Sequence, residues 1–302
     1  MNSDRRLRGL WAEDPARIAA VGSELVFHPT LYEPRGEPGI WRLEQWTQFG
    51  TTLLSIMFHD PEQQWVDGSA VLIGPGIALA AKHVFDPHLP EIAEGKKAVA
   101  LASLTDEGLL LWKLQQLVYV DESDVAILRI DLASELPPTP IRPAVLTTRT
   151  PAVGEEVMIV GLRSEVPVSR GQPIGANVLA AIGTVSAVYP LERDRAMLPF
   201  PCIEISCLTV GGMSGGPAFD RTGKLVGLLT SSNQPEGPSY VSLLWPAFGL
   251  KVQSTWLPGI VTLPTNILEL ARAGFIAVDK LDVVSLEIAG DQALTSYCPW
   301  TE

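Results

Sequence analysis

One serine of this chain lies among four glycines, in the stretch Gly211-Gly212-Met213-Ser214-Gly215-Gly216-Pro217. Glycine adopts backbone dihedrals that other residues avoid, and it places no β-carbon in the way of an approaching ligand. Such a turn can direct the amides of Gly212 and Ser214 at one point, where they would stabilise negative charge on an attacked carbonyl oxygen. Glycine-rich turns are also common in ordinary loops. The serine therefore predicts nucleophilic chemistry only if a base accompanies it, since a hydroxyl alone is a poor nucleophile.

The string Gly-x-Ser-Gly-Gly-Pro resembles the nucleophile loop of the chymotrypsin-like serine peptidases. Within them, the chain is most similar to the bacterial and intracellular trypsin-like group that includes the HtrA peptidases. The resemblance covers residues 49–250 and implies an all-β fold of two six-stranded antiparallel β-barrels, with the active site between them. It also implies a histidine and a buried carboxylate upstream of the serine.

His83 is the candidate base, because it ends the apolar run Ile77–His83, which resembles the strand that carries the base in this family. The chain has 4 histidines. The other three, at His28, His59 and His88, lack a matching context. A histidine beside apolar residues is otherwise a group packed in the core, so the resemblance decides this assignment.

Asp124 is the candidate acid, because the run Val125–Leu128 that follows it resembles the Asp-Ile-Ala-Leu-Leu string of the family. Asp121, Glu122 and Asp131 are nearby alternatives that would otherwise be solvated loop charges. An acid that orients a histidine must be buried and hydrogen-bonded, which favours the residue next to the apolar strand.

Together, His83, Asp124 and Ser214 predict a serine endopeptidase that hydrolyses peptide bonds through an acyl-enzyme. The implied ligand is a protein or peptide substrate, and this chemistry requires neither a metal nor an organic cofactor. A competing hypothesis is a catalytically silent binding module or scaffold with the same fold. The complete set of three residues and four glycines argues against it, since a scaffold has no need of them.

Leu208 lies where the resemblance places the aspartate of relatives that cleave after Arg or Lys. An apolar floor offers no counter-ion, and burial of an unpaired cation costs several kcal/mol. The resemblance also places Thr230, Ser231 and Ser232 on the strand that lines the pocket and binds the substrate backbone, with Thr230 able to reach Asp124. We expect cleavage after small or medium apolar residues.

Met213 precedes the serine at a position where the commonest relatives carry Asp or Asn. In secreted zymogens that Asp pairs with the amino terminus released by activation cleavage, and methionine cannot form this ion pair. We therefore expect no activation by that route. Because HtrA-like relatives switch this loop, an activating protein partner is an alternative, and the sequence leaves open whether the oxyanion hole is formed at rest.

The composition indicates a globular protein, with 302 residues of which 46% are hydrophobic. The net charge of −12 argues against nucleic-acid binding, which needs a clustered basic surface, and against a role at a membrane surface. No apolar run follows the basic segment Met1–Arg8, so no secretory signal is predicted. The 3 cysteines form an odd set without C-x-x-C spacing, which predicts no zinc site and favours a cytoplasmic location.

The chain divides into four predicted parts. Residues 1–48 form an N-terminal extension with a short helix after Asp14, and residues 49–143 form the first barrel lobe. Residues 144–250 form the second lobe, reached through a proline-rich linker that is extended rather than a central strand. Residues 251–302 form a C-terminal extension, with strands predicted over 275–278 and 283–288 and a short helix capped by Asn266.

Overall fold

The structure of the protein is a computed structural model, and it describes residues 5–8, 24–27, 29–32, 35–44, 46–105, 108–134, 140–164, 167–170, 172, 174–232, 237–253, 264–289 and 292–298. The helix predicted after Asp14 lies outside these residues. Within the described ranges, no helix has the length and apolar character that a membrane crossing requires.

Three short strands precede the barrels in the part of the N-terminal segment that the structure describes. Strands β1 (Arg5–Arg8) and β2 (Glu24–Phe27) pair with each other in antiparallel fashion. Strand β3 (Gly39–Arg42) instead pairs with residues 179–182 of the second barrel. A 3-10 turn over Trp46–Phe49 then leads into the first barrel. The segment before residue 49 thus adds a strand to the second barrel, although the chain enters the first barrel next.

The first barrel consists of six strands and one short helix: β4 Leu53–His59, β5 Gln63–Gly74, β6 Ile77–Ala81, α1 Leu89–Ala93, β7 Ala98–Thr105, β8 Gly108–Tyr119 and β9 Val125–Leu132. The strands pair in antiparallel fashion in the order β5-β4-β7-β8-β9-β6, and β6 pairs back with β5. This closes the sheet and leaves the barrel strands without a free edge.

All five residues of β6 are buried, because the strand lies between two cores. Successive side chains of a strand point to opposite faces. Ala78 and Ala80 accordingly contact the interior of the first barrel, whereas Ile77 and Leu79 belong to the core that is shared with the second barrel. A strand buried on both faces is apolar throughout, which explains the run that precedes His83.

The second barrel contains six of the next eight strands: β10 Leu146–Thr147, β11 Glu156–Ser164, β12 Val168–Ser169, β13 Ala176–Tyr189, β14 Cys202–Ile205, β15 Pro217–Asp220, β16 Leu225–Ser232 and β17 Ser239–Leu243. The barrel strands pair in the order β15-β11-β13-β14-β17-β16, and β16 pairs back with β15. Strand β12 pairs with β5 of the first barrel, and β10 lies parallel to β16. The predicted all-β fold of two six-stranded antiparallel barrels is confirmed.

In its described residues, the C-terminal segment contains one α-helix and three strands: α2 Ile267–Arg272, β18 Val278–Asp279, β19 Val284–Ala289 and β20 Gln292–Tyr297. The Asn266 side chain accepts a hydrogen bond from the Glu269 amide, and the Glu269 carboxylate accepts one from the Asn266 amide. This reciprocal cap fixes the start of α2, as the sequence predicted.

The strand predicted over 275–278 is shorter than expected and is displaced to β18. Strand β18 pairs in parallel with β10, so the tail lies against the second barrel. The boundaries that divide the chain at residues 48, 143 and 250 stay predictions.

Candidate active site

Ser214 follows a tight turn of the backbone. The Met213 amide donates a hydrogen bond to the Val210 carbonyl at 3.2 Å, and Gly212 has a φ of +92°. A positive φ at the third residue of a hydrogen-bonded turn is the pattern of a type II turn, which strongly favours glycine at that position. We call residues 210–213 the oxyanion turn. Its shape explains why the sequence requires a glycine at position 212.

The amides of Gly212 and Ser214 are free to bind a ligand. Within the described ranges, the N–H groups of Gly212 and Ser214 donate to no protein acceptor, whereas those of Gly215 and Gly216 donate to backbone carbonyls at 2.8 and 2.9 Å. A pair of unpaired donors on either side of one residue is the arrangement that an oxyanion hole requires. These are the two amides that the sequence predicted for this role.

His83 lies in a 3-10 turn over Lys82–Val84, directly after β6, and not on the strand itself as the sequence predicted. The hydrogen bonds between β6 and β9 continue one residue beyond β6, to Lys82, and end where the His83 amide turns to the Asp124 side chain. The Lys82 amide donates to the Asp124 carbonyl at 2.6 Å, and the His83 amide donates to the Asp124 carboxylate at 2.9 Å. The acid therefore holds the backbone as well as the ring of the histidine.

The Asp124 carboxylate is buried, with a side chain only 7% exposed, and it accepts three hydrogen bonds. One comes from the His83 amide, one from Nδ1 of the His83 ring at 2.8 Å, and one from the Thr230 hydroxyl. The bond at Nδ1 leaves Nε2 of the ring as the acceptor nitrogen of the neutral imidazole. The pair thus presents a proton acceptor toward the cleft.

Thr230 reaches Asp124 from the second barrel because β16 is irregular at this point. The register of β16 against β17 shifts between Leu229 and Ser231, so the intervening threonine leaves the regular pairing. Such a bulge redirects a side chain and is common beside active sites. The hydrogen bond from Thr230 joins the acid of one barrel to the wall of the other.

The charge of the base is set by two opposing effects. Partial burial of the His83 ring lowers its pKa, because it disfavours the charged form, but the hydrogen bond and the negative charge of Asp124 outweigh this effect. The pKa of His83 is therefore raised above its usual value. The His83 side chain stays 41% exposed, so part of it is accessible to a ligand.

The alternative acids occupy other positions. The side chain of Asp121 is 89% exposed and lies 3.7 Å from the Lys82 ammonium group, and Asp131 pairs with Arg129 at 3.2 Å. Glu122 is exposed on the same loop as Asp121. Among the four candidates, Asp124 is the carboxylate that the structure hydrogen-bonds to the His83 ring.

The nucleophile segment lies close to the first barrel beside His83, where Gly215 approaches Ala81 and Gly68 lies between Val84 and Ser214. A β-carbon placed on Gly215 would lie 2.8 Å from the Ala81 nitrogen, and one on Gly68 would lie 2.8 Å from Val84 Cγ1 and 3.3 Å from the Ser214 carbonyl oxygen. Only glycine permits this approach of the second barrel to the first.

The Ser214 hydroxyl itself makes no hydrogen bond within the described ranges, so a bond to His83 is not formed. Catalytic hydrogen bonds are often long or misaligned until a ligand binds.

The Met213 side chain anchors the oxyanion turn by packing into the core of the second barrel. This side chain is fully buried in the core of the second barrel, where a β-carbon on Gly161 of β11 would lie 2.8 Å from Met213 Cβ. The anchor is apolar packing, in place of the ion pair that an aspartate would form.

The predicted pocket residues lie on two adjacent segments. Leu208 is half-buried before the oxyanion turn, whereas Ser231 and Ser232 are half-buried at the end of β16. The chain after β16 returns close to Leu208, since a β-carbon on Gly237 would lie 3.5 Å from the Leu208 nitrogen. The structure thus brings both segments to one region, next to the turn that carries the serine.

A pair of hydroxyls lies behind Leu208. Thr209 and Ser239 are both buried, and their hydroxyl oxygens lie 2.9 Å apart. Ser239 also donates to the Cys207 carbonyl at 2.8 Å. The interior next to the pocket is therefore occupied by neutral, hydrogen-bonded groups.

Sequence reasoning missed Ser69. This residue of β5 is fully buried, and its amide donates to the Ser214 carbonyl at 2.8 Å. Its hydroxyl accepts a hydrogen bond from the Leu162 amide at 2.8 Å and donates one to the Gly212 carbonyl at 3.4 Å. No local pattern marks such a residue, because its partners lie far along the chain.

The profile of the family described as "Trypsin-like peptidase domain" matches residues 68–228, which is more than half of the chain. The chain therefore belongs to the trypsin-like serine peptidases. No curated protein matches it.

Several solved structures are similar to the chain. The crystal structure of Deg5 has 19% identity and a TM-score of 0.44, over 64% of this chain and 85% of that chain. The HtrA-type protease AlgW with a tripeptide has 20% identity and a TM-score of 0.43, over 64% of this chain and 56% of that chain. Neuropsin, a serine protease expressed in the limbic system of mouse brain, has 16% identity and a TM-score of 0.46, over 65% of this chain and 91% of that chain.

Proposed function

We propose that the protein is a serine endopeptidase that hydrolyses peptide bonds through an acyl-enzyme. The observation that carries the proposal is the hydrogen bond between the His83 ring and the buried Asp124 carboxylate, 2.8 Å long, beside a turn with free amides at Gly212 and Ser214. A histidine and acid so paired supply the base that a serine hydroxyl needs.

In the proposed first half-reaction, the Ser214 hydroxyl oxygen attacks the carbonyl carbon of the scissile bond while Nε2 of His83 takes the hydroxyl proton. The Gly212 and Ser214 amides hold the negative charge that moves to the carbonyl oxygen. Asp124 keeps the ring oriented and stabilises its positive charge. The carbon–nitrogen bond then breaks, and His83 returns the proton to the leaving amine.

In the second half-reaction, a water molecule replaces the amine. His83 takes a proton from the water, whose oxygen attacks the ester carbonyl of the acyl-enzyme. Collapse of the second tetrahedral intermediate releases the carboxylic acid, and His83 returns the proton to the Ser214 oxygen. The step needs no residue beyond those of the first half-reaction.

The preference for small or medium apolar residues at the cleaved position is part of this proposal. Leu208 supplies no counter-ion, and the hydroxyls of Thr209 and Ser239 behind it are already paired with each other. A lysine or arginine entering there would lose hydration without gaining an ion pair. Cleavage sites mapped in a proteome-derived peptide library test this point, and enrichment of Arg or Lys before the cut would contradict it.

A fluorophosphonate probe tests the proposed nucleophile, because it reacts with a serine hydroxyl that a neighbouring base activates. We expect labelling of the wild type and none of Ser214→Ala, with the hydrolysis of a peptide substrate lost in the same variant. Equal labelling of both proteins would show that the reactive serine is another one.

An unlabelled wild type would favour the silent binding module, for which the missing hydrogen bond between Ser214 and His83 is the supporting observation. Labelling that begins only when another protein is added would favour an activating partner. That partner, the cytoplasmic location and the lack of nucleic-acid or membrane binding stay predictions from the sequence.

A further inference from the structure

Ser69 joins the two barrels beneath the oxyanion turn. It belongs to β5 of the first barrel, yet all three hydrogen bonds described above run to the second barrel: to Leu162 of β11 and to the residues on either side of Met213. A fully buried side chain that both accepts and donates across an interface is costly to replace, because its partners are buried with it.

We propose that the Ser69 hydroxyl is a positioning residue, which holds the oxyanion turn in the shape that keeps the Gly212 amide available to substrate. This inference rests on the proposed function, since it concerns the same site. Ser69 touches no reacting atom. It acts through the Gly212 carbonyl, which its hydroxyl binds, and through β11, which backs the turn.

The turn needs such a restraint because two glycines occupy its centre. Type I and type II turns differ by rotation of the peptide unit between the two central residues, here Gly211 and Gly212. That rotation would carry the Gly212 amide away from the hole. Glycine permits both shapes at low cost, so neighbouring contacts must select one. The Ser69 hydroxyl donates to the Gly212 carbonyl, which belongs to the next peptide unit along the chain.

The side chain, and not the backbone, carries this role. Any residue at position 69 would retain the amide that donates to the Ser214 carbonyl. Only a hydroxyl of this length supplies both the acceptor for the Leu162 amide and the donor for the Gly212 carbonyl. Its removal deprives two backbone groups in the interface of a partner.

The test compares Ser69→Ala with Ser55→Ala. Ser55 is a matched control, because it lies directly opposite Ser69 on β4, is also buried, and donates to the Ala102 carbonyl at 3.1 Å within the first barrel. We expect Ser69→Ala to lower kcat by about 10- to 100-fold with little change in KM. This is less than the roughly 10²–10³-fold loss that follows removal of an oxyanion donor itself. Ser55→Ala should retain the wild-type kcat.

A second readout separates positioning from general loosening. A peptidyl aldehyde forms a tetrahedral adduct whose oxygen occupies the oxyanion hole, so its inhibition constant should rise in Ser69→Ala by the same factor by which kcat falls. Ser69→Cys keeps the branching of the side chain but replaces the hydroxyl with a larger and weaker hydrogen-bonding group, and it should show the same loss even if the alanine variant does not fold.

The inference is overturned if the Ser69 variants keep the kcat and inhibition constant of the wild type, or if Ser55→Ala loses as much as they do. Failure of the proposed function looks different. In that case the wild type itself would neither react with a fluorophosphonate nor cleave a peptide, which would overturn both proposals.

Discussion

The two barrels contribute different kinds of chemical group to the candidate active site. In the first barrel the working groups are side chains, and hydrogen bonds to Asp124 fix both the backbone and the ring of His83. In the second barrel the Ser214 hydroxyl is accompanied by backbone amides, and the positions of these groups depend on glycine dihedrals and on the buried Met213 side chain. We therefore expect the activity to be sensitive to a change of charge in the first barrel and to a change of side-chain volume in the second barrel.

The largest effect on activity is expected when the charge of Asp124 in the first barrel is removed. Asp124→Asn keeps the volume of the acid but removes its charge and allows the wrong ring tautomer, which typically lowers kcat by about 10⁴-fold in such triads. Peptide hydrolysis measured at saturating substrate checks this. Asp121→Asn is the control, because that carboxylate is exposed on the same loop. A loss below about tenfold in Asp124→Asn would contradict the assigned role.

An intermediate effect is expected from a change of side-chain volume in the second barrel. Met213→Ala leaves a cavity under the oxyanion turn, and such deletions typically lower the free energy of unfolding by about 2–5 kcal/mol. We expect a fall in kcat as well, because the turn loses its anchor. Met213→Leu conserves volume and should cost less than about 1.5 kcal/mol. Denaturant unfolding and kcat measured on both variants check the prediction. A Met213→Asp variant that equals the wild type would show that packing is not the anchor.

The smallest expected effect is the pH dependence of kcat/KM, which reports how Asp124 changes the pKa of His83. His83 must be neutral to accept a proton, and Asp124 raises its pKa, so kcat/KM should fall as the pH drops through a value above the usual histidine pKa of about 6.5. NMR titration of the His83 ring checks this directly. In Asp124→Asn the pKa should move down, because burial is then opposed by less negative charge. An unchanged pKa would mean that Asp124 does not set it.

The same shift has a consequence for stability, with a definite sign. A raised pKa means that the folded protein binds the His83 proton more tightly than the unfolded chain. The resulting stabilisation is complete below the unfolded pKa, near 6.5, and is lost as the pH rises through the folded value. Unfolding measured across this range in the wild type and in Asp124→Asn would isolate the contribution.

The sequence allowed prediction of the features that depend on local pattern. Strands with buried faces left apolar runs between turn residues, and the glycine string at 211–216 marked a backbone shape that other residues cannot adopt. The predicted end of β6 was wrong by two residues, because the His83 amide binds the Asp124 side chain and does not continue the strand pairing, and no residue pattern records that bond.

Features that depend on distant contacts were beyond sequence reasoning. Ser69 is an ordinary serine before an apolar run, and its role follows from Leu162 and Gly212, which lie 93 and 143 positions away. Gly161 looks like any glycine of a strand until Met213 is seen against it. These two positions are identified only when the strand register of both barrels, or an alignment of many relatives, is known.

The bond from Thr230 to Asp124 has a consequence for the order in which the protein becomes able to act. Asp124 is synthesised with the first barrel, but Thr230, which donates a hydrogen bond to it, is synthesised 106 positions later. A nascent or truncated polypeptide that stops between Ser214 and Thr230 contains the candidate nucleophile but lacks this support for the acid.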